Sequence, residues 1–142
     1  MKKLILIAGF MPFFGKAQFK IVNTATINLL ELRSDTWPIN LQRVTKQSDT
    51  CYVLNFRTQE FSNARIMKSL TFRNLEQLRY FEKALSALKT GATGDVAEFK
   101  DYTIKRVDVK QDGIWYTLNY DNGLTNFKQS EADKMIAAIS KL

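Results

Sequence analysis

The sequence predicts one α+β domain made of two antiparallel meanders, each closed by a helix, with pseudo-repeats at 39–90 and 99–142 sharing one core. Three observations carry that expectation. Residues 42–57 and 105–121 read alike: allowing one inserted residue, Arg43 and Val44 align with Arg106 and Val107, and Tyr52, Leu54, Asn55 and Phe56 with Tyr116, Leu118, Asn119 and Tyr120. Each segment continues into a Leu-Thr pair, Leu70-Thr71 and Leu124-Thr125, and then changes from an apolar period of two to one of 3.6. Asp112-Gly113 and Asn122-Gly123 supply the steps that tight hairpins need, because Gly and Asn take positive φ cheaply.

The elements follow in order. Residues 20–33 add an N-terminal strand or two, with Leu30 and Leu32 alternating against Glu31, and Trp37-Pro38 makes the bend that follows. The first meander carries a longer excursion at residues 58–65. Leu75, Leu78, Phe81, Leu85 and Leu88 then form one helical stripe, with Asn74 as N-cap, Gln77 at the capping-box position and Gly91 at the stop. Residues 101–128 form a three-stranded meander in which Ile114, Tyr116, Leu118 and Tyr120 alternate with Trp115, Thr117 and Asn119. Along its first strand the apolar phase slips from Tyr102 and Ile104 to Val107 and Val109, so a bulge is expected near Lys105 and Arg106. The second helix carries Ala132, Met135, Ile136, Ile139 and Leu142 on one stripe and opens on Ser130 and Asp133. One sheet with one helix buries little by itself, so the halves should pack together.

Residues 1–17 have the order of a secretory leader. Lys2 and Lys3 precede an apolar run over 4–14 and a small-residue site, Gly15-Lys16-Ala17. Cleavage after Ala17 would leave Gln18 first and residues 18–142 as a single domain, exported to the periplasm or secreted. The run is too short for a permanent transmembrane anchor, which needs about 20 residues. Without the leader the chain keeps 18 basic and 14 acidic residues, and the basic surplus lies in residues 57–89. That surplus suits an anionic ligand or partner, and it also serves solubility.

Composition excludes much chemistry. There is no histidine, which removes Ser-His-Asp and Cys-His nucleophile pairs and His-ligated zinc. Cys51 is the only cysteine, so no internal disulfide can form, and its apolar stretch predicts a buried, inert thiol. Ser86-Ala87-Leu88-Lys89 and Lys89-Thr90-Gly91 look like motifs of penicillin-recognising enzymes, but they overlap at one helix end and cannot face each other. The Asp and Glu residues lack calcium-loop spacing. No cofactor or metal site is expected.

The functional expectation is therefore a non-catalytic binding module of the envelope or secreted fraction. Its candidate contact residues are Trp115, Thr117 and Asn119 on a polar sheet face, and Arg57, Arg65, Lys68 and Arg73 in the basic segment. A partner protein or anionic ligand is expected, and free sheet edges allow a homodimer. Two alternatives belong to other classes. One is an exported hydrolase using carboxylates or a lysine-activated serine. The other is single-stranded nucleic-acid binding, since the duplicated plan with basic, aromatic strands resembles the PUR-repeat and Whirly DNA-binding folds in topology. An exported protein seldom meets nucleic acid, which ranks that reading below the others.

Overall fold

In both halves of the chain strands come first and a helix last. The computed structural model describes residues 23–32, 38–58 and 66–142. In the first half β1 (Thr24–Leu32), β2 (Ile39–Lys46), β3 (Asp49–Arg57) and β4 (Met67–Phe72) lead into α1 (Leu75–Lys89). In the second, β5 (Val96–Glu98), β6 (Tyr102–Val109), β7 (Gly113–Tyr120) and β8 (Gly123–Lys128) lead into α2 (Gln129–Ser140). The strands make two antiparallel four-stranded sheets, ordered β1-β2-β3-β4 and β5-β6-β7-β8. The expected leader, the Trp37 side of the bend and most of the 58–65 excursion lie outside the described residues.

Period-two alternation decides which side chains enter the core. Tyr52, Leu54 and Phe56 are buried on β3, as are Tyr116 and Leu118 on β7. Cys51 takes the opposite phase and is half-exposed on the outer face, not buried, because Tyr52 occupies the inward place. From the helices, Leu78, Phe81, Leu85 and Leu88 of α1 and Ala132, Met135 and Ile139 of α2 complete the same cluster. The packing crosses between halves: α1 touches β3, β4, β5 and β6, while α2 touches β1, β7 and β8, and the helices touch each other. Both sheets thus close on one core.

The β6 bulge does not exist. Pairing between β6 and β7 runs unbroken from Tyr102 opposite Tyr120 to Val109 opposite Gly113. The inward position after Ile104 is filled by Arg106, whose residue is 8% exposed. Its guanidinium donates to the Leu88 and Lys89 carbonyls at 3.0 and 2.8 Å, and to both Asp108 carboxylate oxygens. These are the last carbonyls of α1, which lack intrahelical donors and sit at the negative end of the helix dipole. The one-residue offset between the halves lies instead in the turns, 47–48 between β2 and β3 against 110–112 between β6 and β7. Leu70 faces Leu54 and Thr125 faces Leu118, so the residue standing where Leu70 stands is Thr125, not Leu124. The bulge that is present lies in β1 at Leu29.

Several end signals act differently from their sequence reading. Asn74 caps α1 by accepting from the Gln77 amide at 2.9 Å, while the Gln77 side chain reaches back to the Arg73 amide rather than to Asn74. Gly91 has no positive φ; a Cβ there would stand 2.5 Å from the Asp95 carboxylate, which accepts from the Ala92 amide. The α2 N-cap is Lys128, two residues before Ser130, and its amide donates to Glu131 at 2.8 Å. β8 runs directly into α2, and Gln129 is held there by the Tyr116 hydroxyl. In the β7–β8 turn Asp121 and Asn122 carry the positive φ, and Gly123 serves close approach, since a Cβ would lie 2.6 Å from Thr58.

Candidate functional site

Trp115, Thr117 and Asn119 do share the outer face of the second sheet, on alternate residues of β7. Their polar groups are largely spent on neighbours. Thr117 donates to Asn126 at 2.6 Å, Asn119 lies 3.5 Å from the Thr103 hydroxyl, and the Lys128 ammonium stands 5.0 Å over the Trp115 ring. The Trp115 indole N–H is shielded from solvent and has no acceptor among the described residues.

The basic segment is not one patch. Arg57 lies across from Met67 on the outer face of the first sheet, whereas Lys68 lies across from Phe56 on the helix side and bridges to Asp121 at 2.8 Å. Arg73 is exposed ahead of α1, and Arg65 lies outside the described residues. The outer face of the first sheet is a polar ladder that bonds to itself: Gln42 donates to Asn28, Asn55 donates to Asn40 and Gln42, and Ser69 donates to Asn55.

The concave feature lies elsewhere, where the free edge of β4 and the start of α1 meet the β5–β6 turn. The turn is Lys100-Asp101, closed by the Phe99 amide donating to the Tyr102 carbonyl at 2.9 Å. This closure puts Phe99 and Tyr102 opposite each other, and their rings stack with centroids 4.3 Å apart. Tyr102 also packs against Phe72 and Phe81 at 6.2 and 6.1 Å. The result is an aromatic trough of about 190 Å³ lined by Phe72, Tyr80, Phe99 and Tyr102, with Gln77, Lys100 and Asp101 at its polar margin. It continues along the β7–β8 turn past Tyr120 and Asp121.

Burial pushes the Tyr102 hydroxyl well above the ordinary phenol pKa, so it stays protonated. That hydroxyl has no hydrogen-bond partner among the described residues. The trough therefore offers apolar ring surface together with one donor that no described residue engages. A pocket of this kind can hold a planar or branched apolar group and orient it by a single polar contact.

The sequence reading missed this trough. Its walls come from β4, α1 and the β5–β6 turn, and the turn carries neither Gly, Asn nor Pro. The available signal was the pair of aromatics, Phe99 and Tyr102, bracketing two charged residues at the spacing of a tight hairpin. Among the described residues no group of three or more Asp, Glu or Cys is placed to hold a metal, and no helix is long and apolar enough to cross a membrane. Neither a protein-family model nor a curated protein matches this sequence.

Proposed function

We propose that the protein is a non-catalytic binding module whose ligand site is the trough of Phe72, Tyr80, Phe99 and Tyr102. The leader at residues 1–17 puts the module outside the cytoplasm in the same reading. The observation that carries it is the concave, aromatic-lined space beside the half-buried Tyr102, whose hydroxyl has no protein partner among the described residues. The ligand is an apolar or aromatic group of about one ring, attached to an acceptor for that hydroxyl.

Amide NMR with N-acetyl-phenylalaninamide and N-acetyl-alaninamide as probes tests it. The phenylalanine probe should shift the amides of Phe72, Tyr80 and residues 99–102, and the alanine probe should leave them in place. Tyr102→Phe should weaken that binding about fivefold, the worth of one neutral hydrogen bond, with the fold intact. Shifts confined to the outer face around Trp115, or none at the trough, overturn the proposal.

A further inference from the structure

Among the described residues β1 is an edge strand, with one side paired to β2 and no strand on the other, and this surface is independent of the aromatic trough. The phase of its ladder follows from one bond, the Gln47 amide donating to the Asn23 carbonyl at 3.3 Å. Antiparallel pairs alternate, so Ala25 and Ile27, opposite Thr45 and Arg43, turn their backbone groups to β2. Thr24, Thr26 and Asn28 then turn their N–H and C=O groups outward, where the described residues place no strand. Residues 24–28 are exposed on both faces and carry no charge and no proline, two of the usual protections of an edge.

The side-chain surroundings say what fits. The bulge at Leu29 turns two consecutive leucines, Leu29 and Leu30, toward the helix side. With Ala137, Ala138 and Leu142 they line a groove of about 400 Å³ beside α2. Ile27 extends the apolar strip and is 46% exposed. Lys134 and Lys141 border the groove, and Arg43 stands next to Ile27; no ion pair engages these three among the described residues, and no Asp or Glu side chain lines the groove. Glu31, the one acid on β1, points to the opposite face with Asn40. Pairing β1 with a second copy of itself would bring like charges together, whereas an acidic chain would be drawn in.

We propose that β1 recruits an extended, acidic polypeptide segment as a fifth strand of the first sheet. Its backbone pairs with Thr24, Thr26 and Asn28. Its helix-side residues lay aliphatic groups on Ile27 and the Leu29–Ala138 groove and carboxylates against Lys134, Lys141 and Arg43.

The probes are the capped octapeptide Thr-Val-Thr-Glu-Thr-Val-Thr-Glu and its counterpart with lysine for glutamate, titrated into the whole chain by calorimetry and amide NMR. The glutamate peptide should bind about tenfold more tightly and protect the amides of Thr24, Thr26 and Asn28 from exchange. Thr26→Pro removes an outward donor that β2 does not use and should abolish binding. Should that variant fail to fold, Lys134→Glu with Lys141→Glu, on the exposed side of α2, should reverse the preference toward the lysine peptide. Equal binding of the two peptides, or protection elsewhere, overturns the proposal. So do amides at Thr24, Thr26 and Asn28 already protected in the free protein: dependence on concentration would assign the edge to a second copy, and independence to the chain itself.

Discussion

Two polar side chains stand at inward positions of the second sheet, and their contrast shows what burial demands. Arg106 is satisfied by two helix carbonyls and Asp108, so its place in the core is consistent with an ordered α1 end. Thr125 sits where the first sheet has Leu70, and its hydroxyl is shielded without a partner among the described residues. A buried hydroxyl in that state costs about 1–3 kcal/mol. Thr125→Val keeps the shape and should raise stability by about 1 kcal/mol in urea melts. A loss of stability would mean that the hydroxyl is bonded after all.

At the scale of elements, two ion pairs lie at the C-terminal end of α1. One is Arg106–Asp108 within β6, where Arg106 also holds the α1 carbonyls; the other is Lys89–Asp133 between α1 and α2, with both side chains about half exposed. The Arg106 guanidinium hydrogen-bonds Asp108 and holds its carboxyl below the usual range; the Lys89 ammonium does the same for Asp133 across the α1–α2 contact. A carboxyl depressed in the folded state stabilises at pH above its unfolded value, and that contribution is lost as pH falls through the folded value. The melting temperature should therefore drop on acidification below about pH 4. Asp108→Asn combined with Asp133→Asn should start lower at pH 7 and flatten that drop. Circular-dichroism melts from pH 7 to strong acid measure it, and an unchanged acid slope in the double variant removes these pairs as the cause.

At this scale the sequence was readable wherever the signal is local. The stripes of both helices and the alternation in β3 and β7 follow from spacing alone, and they packed as spacing requires. Arg106 broke the rule in β6 because alternation sorts residues by polarity, while its partners, the α1 carbonyls, are eighteen and seventeen residues away. The Val107 and Val109 phase then looked like a slip. Sequence signals mark Gly91 as a helix stop and Gly123 as a hairpin residue, yet at each the structure shows close approach without positive φ, by the Asp95 carboxylate or by Thr58. The aromatic trough exists only after three elements meet. Arg57 and Lys68 separate for a similar reason: the cross-strand partner of Arg57 is Met67, and alternation puts the next residue, Lys68, on the other face.

For the whole molecule, each helix touching both sheets means that neither half has a core of its own. Unfolding should be a single transition, with far-UV and near-UV circular dichroism coinciding. Phe81 lies in α1 and is 1% exposed; Phe81→Ala should lower stability by about 3–5 kcal/mol and move both signals together. Separate transitions would show that the sheets melt independently. The crossed packing also bears on synthesis. A ribosome releases β1 through α1 before β5 and β6, the second-sheet strands that α1 also touches, exist, and β1 waits longer still for α2. Until the final helix emerges, α1 can cover β3 and β4 but the leucines of β1 lack the cover of α2, so the nascent half should stay partly open to chaperones and finish folding only at the end of translation.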